Sequence, residues 1–366
     1  MGRITGNKGE WSELYAFLKI LGDKRIYGAD GDMNRREDVY YDVLKIVRDE
    51  GNGEIDYAVS DDGLCAEIVS NGKVLVKIVL ERFLEESEFL FEAIDAEKAT
   101  FSIERTENFM DEIRCTKIKA SSCDKTDITA QIYDRHIGTD KILGFSIKSM
   151  LGSPSTLVNA GRTTNVIFEL MGSMTDELLQ ITNEVDLQKK SKKTLSEKYS
   201  NLCLKGVDFI FVDVENQTFE DNMRLIDSKL PEIVAEMLKL HYIEGISKVS
   251  DQIRLLVERN PLKYRRSKQP FYEYKIKKLL TSYALGMQSG TPWNGDEDAS
   301  GGYIIVKKDG EVLCYHLYKR NDFEDYLIKN TKLDTPSTSR YKFSEIYKTV
   351  EGKYFLKLNL QIRFIK

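Results

Sequence analysis

The sequence predicts an α/β fold: a mixed sheet flanked by helices and carrying a helical insertion. Three features point to it. An amphipathic run lies near the start, a hairpin of two strong strands lies in the middle, and alternating strands return after a long stretch of helical periodicity.

Between Gly9 and Leu21, the residues Leu14, Phe17, Leu18 and Leu21 recur at helical spacing and predict a helix over 9–22. A turn-rich segment follows at 27–34, and a second helix is expected through Tyr40 to Arg48. Strands at 64–69 and 74–80 flank Asn71-Gly72, a dipeptide that tolerates the positive φ angles of a tight hairpin. Helical sequence occupies 83–96.

The central hairpin pairs Asp127–Asp134 with Ile142–Lys148. If the turn spans 135–140, antiparallel register sets Asp134 opposite Lys141 and Asp127 opposite Lys148. Alternation then gives an apolar face of Ile128, Ala130 and Ile132 with Leu143, Phe145 and Ile147. The other face carries Asp127, Thr129, Gln131 and Tyr133 with Gly144, Ser146 and Lys148. Beyond it, Gly152 and Pro154 break the strand, and Ser153 or Ser155 is placed to cap a helix running toward Leu170. Such a helix start would offer amide donors to a phosphate.

Further on, Gly206–Val214 is an apolar run suited to a buried strand, and 218–287 reads as helices broken at Pro231, Pro261 and Pro270. A loop at 291–302 precedes strands at 303–306, 312–317 and 354–365. The expected division is a core at 1–174, a mostly helical region at 175–290, and a β-rich part at 291–366 that completes the core.

Composition narrows the function classes. The 366 residues are 41% hydrophobic, enough for a core, with no apolar run long enough to span a membrane and no signal-peptide core, so a cytoplasmic protein without a membrane partner is expected. Five cysteines, odd in number and without metal-type spacing, read as reduced thiols. Only three histidines exist, none paired at ligand spacing, which argues against histidine-dependent nuclease motifs and Zn²⁺. Oxygen ligands point to Mg²⁺ instead.

The net charge of −5 opposes a polyanionic partner, but it is unevenly distributed. From Lys263 to Lys278 there are seven basic residues against one acid, interleaved with aromatics. Lys263, Arg265, Arg266 and Lys268 suit a surface that tracks a DNA backbone, and a solvated helix face accounts for them equally. Lys189–Lys193 reads as an exposed loop.

A carboxylate beside a lysine on one strand face is what metal-dependent phosphodiester hydrolysis needs. The bland alternative is an Asp127–Lys148 salt bridge with no chemistry. Glu10 and Glu13 lie in or beside the apolar stripe of the first helix. A metal ion would compensate such a carboxylate, and so would the positive end of the helix.

Taken together, Gly9-x-x-x-Glu13, Asp127 opening a strand, and Ser146-x-Lys148 on the next resemble the PD-(D/E)XK nuclease pattern. The phrases at 6–15 (GNKGEWSELY), 144–157 (GFSIKSMLGSPSTL) and 357–364 (KLNLQIRF) resemble the HpaII family of type II restriction endonucleases, and they span nearly the whole chain. The resemblance implies Mg²⁺-dependent double-strand cleavage within a short palindrome, CCGG for that family. Its partners would be double-stranded DNA, a second copy in a homodimer, and a cognate DNA methyltransferase as genetic partner.

On this resemblance Asp127 and Glu13 hold Mg²⁺, and Lys148 stabilises the nucleophile or the charge developing on phosphorus. Ser146 departs from the pattern, which has a carboxylate there. Some endonucleases cutting CCGG-containing sites recover a Glu about a dozen residues past the lysine, where this chain has Gly161 and Arg162. Glu10 and Glu169 are therefore the alternatives to Glu13. Ser149, Ser153 and Ser155 are expected to contact DNA. Gln361 and Arg363 on the last strand, with Arg340 in the polar 334–340 loop, are expected to reach bases. A structure-specific repair nuclease and a non-catalytic DNA-binding protein remain the other function classes.

Overall fold

A computed structural model describes residues 4–51, 53–119, 126–135, 138–188, 192–265, 268–297 and 300–365. In chain order the first elements are α1 (Lys8–Asp23), β1 (Arg25–Ala29), β2 (Arg35–Asp49), β3 (Glu54–Val59), β4 (Cys65–Ser70) and β5 (Lys73–Val79). Next come α2 (Leu80–Ala96), α3 (Glu104–Glu112), β6 (Ile128–Asp134), β7 (Thr139–Ser149), β8 (Thr156–Val158) and β9 (Asn165–Gly172). There follow α4 (Asp176–Gln188), α5 (Lys192–Leu204), β10 (Val207–Val214), α6 (Gln217–Ile226), α7 (Leu230–Tyr242), α8 (Val249–Arg259) and α9 (Phe271–Ala284). The last are β11 (Gly302–Val306), β12 (Val312–His316), α10 (Arg320–Asn330), β13 (Thr331–Leu333), α11 (Thr338–Tyr341), β14 (Ile346–Lys348), β15 (Tyr354–Asn359) and β16 (Ile362–Phe364).

Two compact units contain these elements, the first built from residues 1–155 and 297–326 with 366, the second from 156–296 and 327–365. In the first, nine strands run in the order β1-β12-β11-β7-β6-β2-β3-β4-β5, and β1 also pairs with β2, so six of the strands close a ring. The β1–β12 and β11–β7 pairs are parallel among antiparallel neighbours, which makes the sheet mixed, as expected. In the second, β10-β9-β15-β14 and β13-β16-β8 form two smaller antiparallel sheets alongside α4 to α9.

Helix α1 starts where the sequence placed it because Asn7 caps it: its side chain accepts from the Gly9 and Glu10 amides, and Glu10 accepts in turn from the Asn7 amide at 2.9 Å. Its buried stripe includes Trp11, Leu14, Phe17, Leu18 and Leu21, packed with Ile128, Ala130, Ile132, Phe145 and Ile147 from the central hairpin. Asn71 and Gly72 both take positive φ, 51° and 73°, in the β4–β5 turn.

Several expectations fail for identifiable reasons. The helix expected at 40–48 is the long strand β2. A bulge between Val43 and Lys45 makes the buried positions step from 43 to 46, which imitates helical spacing. The central register is shifted by two residues: Asp134 lies opposite Thr139 and Ile132 opposite Lys141. β7 begins at Thr139, so the turn is shorter than assumed. A two-residue shift preserves the faces.

The helix expected from Ser153 or Ser155 toward Leu170 is absent. Thr156–Val158 and Asn165–Gly172 are strands separated by a 3₁₀ turn at Arg162–Thr164, so no helix start there offers amides to a phosphate. β10 lies at a sheet edge and alternates buried Val207 and Phe209 with exposed Asp208 and Ile210, so it is half-buried instead of fully buried. The single strand expected at 354–365 breaks at Leu360 and Gln361 into two strands belonging to different sheets. Among the described residues Cys65, Cys115, Cys203 and Cys314 are free thiols, and no helix is long and apolar enough to cross a membrane. Cys123 and Lys189 to Ser191 of the basic run lie outside the described residues.

Candidate active site

Asp127 sits immediately before β6, its amide donating to the Phe145 carbonyl at 2.9 Å, which extends the hairpin by one residue. Continuing the observed register sets it opposite Ser146. Its Oδ2 accepts from the Ile147 amide at 2.6 Å and from the Ser146 hydroxyl at 3.2 Å. Lys148 Nζ donates to the same hydroxyl at 3.3 Å. Asp127, Ser146 and Lys148 are thus strung together through a serine, and the direct Asp127–Lys148 salt bridge of the bland alternative does not form.

β11 completes the site from the other side of β7, its parallel register placing Tyr303 beside Ser146 and Ile305 beside Lys148. The Lys148 ammonium lies 5.1 Å from the centre of the Tyr303 ring, an attractive placement for a cation. Burial, and then the negative charge of Asp127, push the Tyr303 phenol well above its ordinary pKa, so the ring stays neutral. Tyr303 did not emerge from the sequence. Its strand is legible, but the parallel adjacency to β7 joins segments about 150 residues apart, beyond the reach of local pattern reading.

Ser149 points to the opposite face of β7. Its hydroxyl donates to Ser12 of α1 at 2.8 Å and accepts from the Leu151 amide at 3.1 Å. Ser12 is fully buried and donates to the Lys8 carbonyl, so α1 is tied to the strand that carries Lys148. Glu13 follows Ser12 at the partly buried margin of the helix; the hydrogen bond to Glu10 raises the pKa of Lys119, and the charges of Glu10 and then Glu13 add to the rise. Glu10 is committed to the helix cap and to Lys119, whose hydrogen bond holds its carboxyl below the usual range. Glu169 belongs to the second unit, on β9, paired with Lys353 at 3.1 Å. Ser153 is exposed and Ser155 half-buried in the loop after β7.

The remaining nucleic-acid candidates all lie in the second unit. Lys263, Arg265 and Lys268 are exposed between α8 and α9, and Arg266 lies outside the described residues. The aromatics among them shape the loop: Asn260 accepts from the Tyr264 amide and the Tyr272 hydroxyl, each at 3.0 Å, and Tyr264 stacks on Phe271. Farther along, Lys275 pairs with Asp227 and Lys277 with Glu273, which removes both from a free basic face. Arg340 is exposed at α11, its guanidinium 5.3 Å from the Tyr341 ring. Arg363 on β16 pairs with Asp334 at 3.4 Å, and the Gln361 carbonyl accepts from the Asp334 amide.

Among the described residues no group of three or more His, Cys, Asp or Glu side chains is gathered as a metal cluster. Asp127 nonetheless keeps Oδ1 without a hydrogen bond among those residues, beside the Ser146 hydroxyl. That oxygen-only set suits Mg²⁺, which retains several waters and takes one or two carboxylates.

The HpaII restriction endonuclease family model matches residues 7–364. The type II restriction enzyme HpaII of Haemophilus parainfluenzae is 39% identical over 365 residues, covering 99% of each chain. No solved structure matches. Whole-length agreement of this kind, with the phrases at 144–157 and 357–364 and all but the first residue of that at 6–15 inside the matched range, places the chain in the HpaII restriction endonuclease family.

Proposed function

We infer that this protein is a type II restriction endonuclease that cuts both strands of DNA within a short palindrome, CCGG, in a Mg²⁺-dependent reaction. The observation that carries the reading is the Asp127–Ser146–Lys148 array on a hairpin inside a chain so similar to a type II restriction enzyme over its full length. A mixed sheet with an acid at one strand start and a lysine on the next favours the PD-(D/E)XK fold.

Asp127, through Oδ1, would hold Mg²⁺, with Glu13 as the second carboxylate. When bound, the ion supplies Lewis-acid polarisation of the scissile phosphate. Lys148 presents a positive charge where negative charge builds on phosphorus, and the neutral Tyr303 ring confines it there. Ser146 orients both neighbours through its hydroxyl, 3.2 Å from Asp127 and 3.3 Å from Lys148, without adding charge. The exposed Lys263, Arg265, Lys268 and Arg340, with Ser153, Ser155, Gln361 and Arg363, would supply phosphate and base contacts. Ser149 is engaged with Ser12 and the Leu151 amide and so ties the strand that carries Lys148 to α1. A palindromic target makes a two-fold homodimer the natural assembly, and a cognate methyltransferase would protect the host's own sites.

Digesting one plasmid with and without Mg²⁺ and sequencing the fragment ends tests this. Discrete fragments ending at one short palindrome, only with Mg²⁺, are expected. Ends set by DNA shape and not sequence would identify a repair nuclease, and binding without cutting a DNA-binding module.

A further inference from the structure

On the face of β6 that carries Asp127, the far end holds a second arrangement that the catalytic reading does not use. Arg25, Asp42 and Tyr133 are in register across β1, β2 and β6, and Tyr27 is in register with Tyr40. Arg135 follows β6 two residues past Tyr133. Asp42 accepts from Arg25 Nε at 3.0 Å through Oδ1 and from Arg135 Nε at 2.6 Å through Oδ2. The two guanidiniums lie 4.7 and 5.0 Å from the centre of the same Tyr40 ring, and Arg35 lies over Tyr27 at 3.4 Å.

We propose that Arg25 and Arg135, yoked by Asp42 and seated on Tyr40, form a phosphate-binding site that grips the backbone of the DNA duplex away from the scissile bond. One carboxylate between two guanidiniums leaves a net positive charge and cancels enough repulsion to keep the pair together. Both arginines meet Asp42 through Nε. The outer Nη edge of Arg135 therefore has no hydrogen bond among the described residues, and a fork of that shape fits phosphate oxygens. Both side chains are about half exposed, 43% and 53%, so the edge is reachable. Asp23, Asp61, Glu88, Glu92, Asp309 and Glu311 also line the adjoining cavity, and their charge opposes a polyanion filling it, so the contact proposed is with the arginine pair alone.

Position identifies the ligand as duplex. Asp127, Thr129, Gln131 and Tyr133 alternate onto one face, and Tyr133 is in register with Asp42, the carboxylate that holds Arg25 and Arg135, so the candidate catalytic carboxylate and the arginine pair share a face of the sheet. Eight residues at about 3.3 Å each separate them by about 26 Å, less than the ~34 Å of one duplex turn. A single duplex laid on that face reaches both.

The proposal rests on the nuclease reading, and the test separates the two. A duplex carrying the mapped cut site is titrated with the full-length protein in Ca²⁺ across a salt series. Arg25→Gln with Arg135→Gln is expected to weaken binding about tenfold or more and to reduce the slope of log affinity against log salt by about 1 to 2. Its cleavage with Mg²⁺ at subsaturating protein should fall in step with the weaker binding. If the double variant does not fold, Arg135→Gln alone should lower the slope by about 1. An unchanged slope in a variant of a wild type that binds and cuts would overturn the site alone. So would an equal loss from Lys73→Gln with Lys98→Gln. Displacement of duplex by a nucleoside monophosphate at matched ionic strength would also overturn it, by assigning the pair to a free nucleotide. A wild type that neither binds nor cuts DNA would instead remove the nuclease reading.

Discussion

Asp127 has Oδ2 committed to the Ile147 amide and the Ser146 hydroxyl, which aims Oδ1 away from the strand pair. That geometry holds the proposed metal-binding carboxylate in place, and the residue opposite it, Ser146, carries no charge. The two residues should therefore differ sharply on substitution. Ser146→Ala removes two long hydrogen bonds at the weak end of the usual range, about 0.5 kcal/mol each, which together is about fivefold in cleavage rate. With Glu13 as the proposed second ligand, Glu13→Gln should slow Mg²⁺-dependent cleavage by about a hundredfold or more. Single-turnover cleavage of a duplex at saturating Mg²⁺ checks both. Near-normal cutting by Glu13→Gln with loss in Glu10→Gln or Glu169→Gln would move the second carboxylate elsewhere. The sequence made Asp127, Ser146 and Lys148 legible because alternation puts them on one face. It could not reveal Tyr303, or that a serine mediates between acid and lysine, because both depend on register.

Among the elements, α1 and the central hairpin do most to position the site. The Asn7 cap anchors the start of α1, so Asn7→Ala should destabilise the fold by about 1 kcal/mol, read as a lower urea midpoint. An unchanged midpoint would show that packing alone sets the helix start. Strand β12 ends at His316, whose ring stacks on Tyr41 at 4.9 Å and whose Nδ1 accepts from the Tyr318 amide. Burial pushes its pKa down to about 4, a fall that the Asp134 charge partly opposes. Below its unfolded value near 6.5, the unfolded chain binds a proton that the folded one refuses. The stability contributed by the neutral ring is thus complete above pH 6.5 and declines as pH falls toward 4, by up to about 2 kcal/mol allowing for partial exposure. Urea unfolding at pH 7 and pH 4.5 should show a smaller acid loss in His316→Phe than in wild type. Equal losses would remove His316 from the acid limb. At this scale α1, the β4–β5 hairpin, α2 and the strands of the central hairpin were legible. β2 was misread because its bulge mimics a helix, and 156–172 because Gly152, Pro154 and the serines resemble a helix start.

For the whole chain, the mixed sheet was legible as a class and its topology was not. Nothing local in the sequence says that β11 pairs with β7 in parallel, or that β1 closes a ring by pairing with both β2 and β12. Those pairings bring Tyr303 to Lys148 and Arg25 to Asp42, so both site descriptions depend on contacts between distant segments. Family membership spans residues 7–364 and so includes both units. The proposed chemistry begins at the hairpin acid. Asp127→Ala tests it most directly, assayed in parallel for plasmid cleavage with Mg²⁺ and for equilibrium binding to the same duplex. Cleavage should be abolished while binding persists or tightens, because the substitution removes a metal ligand and a charge that repels phosphate. Cleavage by Asp127→Ala at the wild-type rate would contradict the account and move the chemistry to another carboxylate, such as Asp134 or Asp140.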